Sequence, residues 1–410
     1  MKSRKDSRGR VLRKGESQRE KYYIYQYTDV THKRRVIYAK DLPELREKER
    51  DIMRDLADGL NTQKRYSVTL NEAFDAYFSG RKELKYSTRV CYQYLYNHYV
   101  RSSFGNRLLA RLRYSDIRNY YLTLAEQGLS KKTLRMIHSL ISQVMDFAVR
   151  DEILRANPAE GVMTELTKRL GLEEHRRHAL TREQQSAFMR YVKAHPKYEK
   201  WYPLFTVLLG TGCRIGEVLG LCWEDIDFEQ KRISVTRSLQ YRTLESGKVG
   251  HYISTPKSVA GKRTIPMMQQ VEAALQQEKE NQKRRNREIR SYTPPVVDGY
   301  TDFVFTGGKC LYESATVNRA IRGVIASYND REQELAALEQ RTPLLLPDFT
   351  CHNLRHTFCT RFCENETNVK VIQDIMGHAD VGTTLNIYAE VTEEKKRESM
   401  SNLENKIMIM

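Results

Sequence analysis

The sequence predicts a multidomain α+β chain: a small β-sheet-plus-helix module, then an all-α domain, then a mixed, mainly helical domain with a small β-sheet. Three observations carry this. Two β-prone runs flank a turn near the N-terminus, apolar residues recur at helical spacing over residues 67–162, and a polar stretch then leads into mixed helices and strands. The 410 residues suit several domains on a prior of about 150 residues each. Hydrophobic residues make up 40%, enough for real cores, which excludes a disordered chain. The expected boundaries are 1–66, 67–162, a linker at 163–178, a last domain at 179–393 and a tail at 394–410.

In the first module, YYIYQYTD (22–29) and RRVIYAK (34–40) read as strands around the turn DVTHK. A helix follows, with Asp41 as N-cap, Pro43 in its first turn and Gly59 near its end. Thr69 and Glu72 form a capping box that opens the all-α domain. Leu70, Ala73, Phe74, Tyr77 and Phe78 continue at helical spacing. Ser115 is the expected cap of a helix that stops at Gly128, and Ser130 caps the next. Its stripe of Leu134, Ile137, Ile141, Met145 and Ala148 reads as core, and Pro158 ends the segment. Polar residues 163–178 read as linker. Thr181 and Gln184 open the last domain with a second capping box, and RISVTRSLQYR (232–242) and DFVFTG (302–307) read as strands. The polar run 276–290 reads as a solvated helix end or an insertion.

Charge narrows the function. Lys plus Arg number 69 against 52 acids, a formal charge of +17, which favours a polyanion and nucleic acid first. Residues 1–40 hold 13 basic and 4 acidic residues, or +9, more than half of the excess. Arg8, Arg10, Arg13, Lys14, Lys33, Arg34 and Arg35 are the expected DNA contacts of this basic arm. Arg89, Lys131, Lys132 and Arg135 of the helical domain suit a phosphate backbone. The seven cysteines are scattered without a paired framework, as in a reducing cytosol. No apolar run resembles a signal peptide or a membrane span. No GxxxxGKS/T loop, GxGxxG turn or carboxylate cluster for a two-metal nuclease is present, so the expected chemistry needs neither ATP nor Mg²⁺.

Three segments of the last domain stand out. In TGCRIGEVLGL (211–221), glycines flank a tight entry and Arg214 opens an amphipathic helix. A cation beside free N–H groups makes an anion site, although a pair with Glu217 one turn on is equally plausible. In HNLRHTF (352–358), His352 and Arg355 share a helix face, and Leu354 and Phe358 supply its buried side. In GHADVGTTLNIY (377–388), Gly377 terminates a helix, His378 follows in the turn, and Tyr388 lies ten residues on (388 − 378). Zinc is a rival reading here, because Cys351, His352, His356, Cys359 and Cys363 crowd together, but no second ligand pair appears.

In this order these motifs resemble the tyrosine recombinase (phage integrase) family, whose pattern is Arg, Lys, His-x-x-Arg, His or Trp, then Tyr. The helical domain is similar to the family's core-binding domain. The basic module looks like the arm-binding domain of integrases from lambdoid phages and conjugative transposons.

The resemblance implies a catalytic set of Arg214, Lys257, His352, Arg355, His378 and the nucleophile Tyr388. The two arginines would hold the scissile phosphate, and His352 would act as base. Lys257, in the strand–turn–strand reading of STPKSVAGKRTIPM (254–267), would be the general acid, with Lys262 and Lys248 still open. No cofactor and no metal is implied. Implied partners are double-stranded DNA at core and arm sites, three further copies in a tetramer, and an excisionase or DNA-bending protein. The implied setting is the bacterial cytoplasm, with no membrane role. The expected function is site-specific integration and excision of a mobile element through a Holliday junction. The alternatives are a type IB topoisomerase-like strand transferase and a catalytically silent DNA-binding regulator.

Overall fold

The computed structural model describes residues 4–81, 83–84, 86–170, 178–243, 248–255, 261–366, 368–378, 380–382, 384–385 and 387. The chain divides into two compact units, Met1–His175 and Arg176–Met410.

The first unit opens with three antiparallel strands, β1 (Glu16–Arg19), β2 (Tyr22–Thr28) and β3 (Arg34–Ala39), in the order β1-β2-β3. The β2–β3 register sets Tyr25 opposite Ile37, and His32 takes a left-handed conformation in the turn. Helix α1 (Leu42–Ala57) starts where expected, with the Asp41 carboxylate accepting the Glu44 N–H. Its Leu42 and Leu45 cover Tyr23, Tyr25 and Ala39, burying one face of the sheet. The other face keeps Tyr22, Val36 and Tyr38 exposed.

Helices α2 (Thr62–Ser67), α3 (Leu70–Ser79), α4 (Tyr86–Leu95), α5 (Tyr114–Glu126), α6 (Lys131–Arg150) and α7 (Val162–Leu170) follow. The Thr69–Glu72 capping box forms, and all five residues of the α6 stripe are fully buried. Two expectations change. Helix α5 is capped by Arg113, whose N–H reaches the Asp116 carboxylate, and Ser115 lies inside the helix. Residues 163–170 belong to helix α7 and not to a linker, because Val162, Met163 and Leu166 make an apolar stripe buried in the same core.

The sheet module is tied to the helices through Asp55. This buried carboxylate pairs with Arg65 (3.0 Å) and Arg155 (2.7 Å) and accepts the Tyr66 hydroxyl (2.7 Å). Burial and this carboxylate raise the Tyr66 phenol to about 12. Arg155 also holds Asp58, and the Asn61 N–H donates to the Glu152 carbonyl.

The second unit is built around α9 (Tyr202–Thr211), an apolar helix with its interior positions buried on every side. Around it lie α8 (Arg182–Ala194), opened by the Thr181–Gln184 box, α10 (Ile215–Leu219), α11 (Gln269–Glu288), α12 (Ser314–Leu338), α13 (Cys351–Asn365) and α14 (Val369–Met376). Strands β4 (Ile226–Asp227), β5 (Arg232–Val235) and β8 (Arg263–Pro266) form one sheet. Strands β6 (Ser238–Thr243) and β7 (Val249–Ser254) form another.

The run 232–242 is therefore two strands of different sheets. The strands on either side of Lys257 do not pair with each other, since β7 pairs with β6 and β8 with β5. Residues 302–307 make only the bridges Cys222–Phe303 and Thr306–Leu311, although Phe303, Val304 and Phe305 are buried core. The polar run 276–290 continues α11. Gln282 anchors it by accepting the Trp223 indole N–H (2.7 Å) and donating to the Phe303 carbonyl (2.8 Å). Among the described residues, no helix is long and apolar enough to cross a membrane.

Removing one partner from a buried ion pair strands the others without compensation. Asp55→Ala is therefore expected to destabilise the joint by about 3 kcal/mol. Hydrogen exchange by mass spectrometry should then show lost amide protection over residues 42–66. Protection equal to the wild type would show that the network is incidental.

Candidate active site

Glycine makes the first turn of the site. Gly212 ends α9 with φ +62°, and a Cβ there would lie 2.3 Å from Phe358 Cδ1 and 2.9 Å from Met376 Sδ. Only a residue without a side chain lets α9, α13 and α14 meet so closely. Two residues on, Arg214 adopts extended backbone at the N-cap of α10. The Glu217 carboxylate accepts its backbone N–H (2.9 Å) and its Nη1 (2.8 Å). The pair that the sequence offered as an alternative is thus present. It leaves the Arg214 side chain 44% exposed, while Glu217 is buried.

Glu217 has a second cation. Arg263, at the start of β8, donates from Nη2 to its carboxylate (2.8 Å) and from Nε to the Ile375 carbonyl (2.7 Å). Burial works to raise the Glu217 carboxyl, but the Arg263 and Arg214 bonds and charges outweigh it and hold the group below its usual range.

Arg355 sits one turn into α13 and is buried. Its Nη1 donates to the Gly212 carbonyl (2.6 Å) and its Nη2 to the Met376 carbonyl (2.7 Å). Both acceptors lie at helix C-termini, where unpaired carbonyls carry partial negative charge. Helix α14 then stops at Gly377, with φ +62°, whose carbonyl accepts from Arg214 Nη2 (3.2 Å). Three successive carbonyls, Ile375, Met376 and Gly377, thus accept from three arginines, Arg263, Arg355 and Arg214. Burial, then the neighbouring Arg214 charge, pull the Arg355 guanidinium down to about 10, which leaves it charged at neutral pH.

His378 emerges from this turn with a buried ring. Its backbone N–H and C=O both bond to Gln373 (3.2 and 3.0 Å), and its Nδ1 lies 2.8 Å from Thr384 Oγ1. Burial first, then the charges of Arg355, Arg214, Arg263 and His352, lower its pKa to about 4. The ring is therefore neutral at pH 7 and presents one N–H. His352 is exposed in the first turn of α13.

The structure thus gathers Arg214, Arg355 and His378 around one turn, with His352 adjoining. Lys257 and Tyr388 lie outside the described residues. Lys248 and Lys262 are exposed. Of the expected DNA contacts, Arg8, Arg13, Lys14, Lys33, Arg34, Lys132 and Arg135 are exposed and Lys131 is half-buried. Arg10 is committed to Asp6 (2.7 Å) and Arg35 to Asp29 (2.6 Å), while Arg89 covers the Phe78 ring. The zinc candidates diverge: Cys359 and Cys363 face an apolar cluster with Phe358, Ile372 and Met376, while His352 is exposed. Sequence reasoning missed Thr384 and Arg263, the second partner of Glu217. The one local signal for Arg263 was a charged residue entering a strand whose Ile265 is core.

Comparison with known proteins identifies the assembly. Residues 178–395 match the phage integrase family, and residues 1–56 match the DNA binding domain of Tn916 integrase. The chain belongs to the phage integrase family. The transposase from transposon Tn916 of Enterococcus faecalis is 29% identical over 415 residues, covering 98% of this chain and 96% of that relative. The ICEBs1 integrase of Bacillus subtilis is 25% identical over 314 residues, 76% of each chain. The structure of the Tn1549 transposon integrase in complex with transposon right end DNA superposes with a TM-score of 0.70 at 29% identity. It covers 82% of this chain and 99% of that one. A lambda integrase dimer bound to a core site, at 16% identity and a TM-score of 0.52, shares the fold. The chain is accordingly a tyrosine recombinase of the conjugative-transposon type, a site-specific recombinase of a mobile element.

The buried neutral imidazole has a consequence for stability. An unfolded His378 titrates near 6.5 and the folded one near 4, so between these values the unfolded chain binds more protons. Stability is expected to fall as pH drops through that window, by about 3 kcal/mol in full. Both tryptophans, Trp201 and Trp223, lie in the second unit, so urea unfolding followed by their fluorescence reports it alone. His378→Gln should flatten the slope between pH 6.5 and 4.5, and an unchanged slope would contradict the burial argument.

Proposed function

We propose that this recombinase cuts and rejoins DNA through a 3′-phosphotyrosine on Tyr388, and that it integrates and excises its element through a Holliday junction. The observation that carries the reading is the convergence of Arg214, Arg355 and His378, from three separate motifs, on one helix end. Two guanidinium groups and a neutral imidazole N–H match the non-bridging oxygens of a phosphodiester.

Tyr388 attacks phosphorus in line, and the 5′-oxygen leaves. The pentavalent transition state carries more negative charge than the diester, so fixed cations stabilise it preferentially. This gives charge stabilisation without a metal. His352 takes the phenol proton, and the nearby arginine charges favour the phenolate. Lys257 gives a proton to the leaving oxygen. The phosphotyrosine keeps the energy of the phosphodiester, so a free 5′-hydroxyl from the partner strand rejoins it without ATP.

Around this centre, residues 1–66 act as an arm-site binding module. Residues 67–162 hold the core site, and residues 179–393 perform catalysis. Residues 394–410 dock onto a neighbouring copy. A tetramer of the chain brings two duplex sites together in the bacterial cytoplasm, aided by an excisionase or DNA-bending protein.

A nicked suicide DNA substrate, incubated in EDTA, should trap a covalent adduct with the wild type and none with Tyr388→Phe. An adduct in the Phe variant would assign the nucleophile elsewhere, and loss of the wild-type adduct in EDTA would reinstate a metal. The module border follows from the Asp55 joint. Because α2 adjoins the short helical turn at Leu109–Arg111, a truncation should stop before Asn61. Deleting residues 1–60 is expected to abolish arm-site binding in a gel-shift assay and to leave core-site cleavage within a few-fold. Core cleavage lost together with arm binding would refute a separable arm.

A further inference from the structure

The Thr384–His378 contact is not used by the mechanism above. Thr384 is fully buried on the described helical stretch after His378, and its hydroxyl lies 2.8 Å from His378 Nδ1. In sequence it precedes Tyr388 by four residues. The His378 backbone is already fixed by Gln373 on both sides. What remains free is the orientation of the ring and the choice of which nitrogen carries its proton.

We propose that Thr384 is a positioning residue that selects the His378 tautomer, donating its hydroxyl proton to Nδ1 so that Nε2–H is turned toward the scissile phosphate. This rests on the functional reading given above. A neutral imidazole has one N–H and one lone pair. Its charged neighbours are Arg214, Arg263 and Arg355, with His352 adding in the same sense, so the imidazolium is disfavoured. An anion held by those arginines is met favourably only by the N–H edge. The lone pair then belongs on Nδ1, buried, where it needs a donor. A threonine hydroxyl donates or accepts as its partner requires, and here it donates. Without it, the buried Nδ1 lone pair is left unsatisfied, the preference for Nε2–H weakens, and the ring is no longer held with that edge to the phosphate.

The test uses the full chain and the nicked suicide substrate under single-turnover conditions. Thr384→Val keeps the shape and removes the hydroxyl, while Thr384→Ser keeps the hydroxyl. Thr384→Val is expected to slow cleavage by about tenfold to a hundredfold, with DNA affinity unchanged. Thr384→Ser should cleave at close to the wild-type rate. Histidine ring nitrogen resonances of the ¹⁵N-labelled DNA complex, with His378 assigned through His378→Gln, should show the Nε2–H tautomer in the wild type and a shift toward Nδ1–H in Thr384→Val.

Wild-type cleavage by Thr384→Val, equal slowing of both variants, or an Nδ1–H tautomer in the wild type would each overturn the proposal. If Thr384→Val proves unstable, the wild-type tautomer and the Thr384→Ser rate still decide it. Failure of the functional reading looks different, because the wild type itself would then form no adduct.

Discussion

The site depends on one short stretch of backbone, the last turn of α14. A helix ends with carbonyls that have no intrahelical partner. Here three in succession are taken by arginines from three other places in the unit: Arg263 from the strand edge, Arg355 from α13, and Arg214 from the turn after α9. Each bond is of ordinary length. Together they fix where α14 stops, and so where His378 begins. Gly377 is the residue that lets the chain turn there. A Cβ at that position would lie 2.9 Å from Arg263 Nη1, and the positive φ would strain any other L-residue.

Glu217 completes the arrangement from the opposite side. It is a buried carboxylate between two arginines, and it also caps the short helix that Arg214 begins. Arg263 has little exposed surface and bonds to both Glu217 and α14, so it joins the β4–β5–β8 sheet to the site. Arg263, the first residue of β8, belongs to the same cluster that positions Arg214 and His378, while β7 and β8 belong to different sheets.

Local rules read well from the sequence, and non-local ones did not. Asp41, Thr69 and Thr181 cap the helices expected of them, because a cap is decided within four residues. The α6 stripe is buried to the last residue for a similar reason: one periodicity settles one face. Cap choice failed at Ser115, where the neighbouring Asp116 takes the Arg113 N–H and starts the helix two residues earlier. Helix α7 was hidden because its apolar residues are interspersed with polar and charged ones and run into the expected linker. Beyond the β2–β3 pair joined by its turn, strand partners were not legible, since a period of two identifies a strand but not its neighbour. Arg214, Arg355 and His378, which come from three separate motifs of the sequence, meet at one helix end. Arg263 escaped because its contact lies 112 residues away in sequence, and Thr384, though inside the 377–388 motif, because only the folded turn brings its hydroxyl to the His378 ring.

The choice of carbonyls over carboxylates as partners for the arginines bears on the proposed chemistry. Arg214 and Arg263 share the buried Glu217 carboxylate, while Arg355 bonds to carbonyls, so among the described residues these four groups sum to a formal charge of +2 (3 − 1). Carboxylates at every position would hold the guanidinium groups equally still but would cancel the field they project. Helix-end carbonyls orient them with partial charges only, of order half an elementary charge for a whole helix terminus. A phosphodiester brings about one negative charge and its pentavalent transition state about two, so an unspent surplus favours the latter more. Within this reading, Glu217 sets the surplus and the α14 terminus sets the geometry. The neutral state of His378 at neutral pH follows from its burial first and then from these cations, which together lower its pKa to about 4.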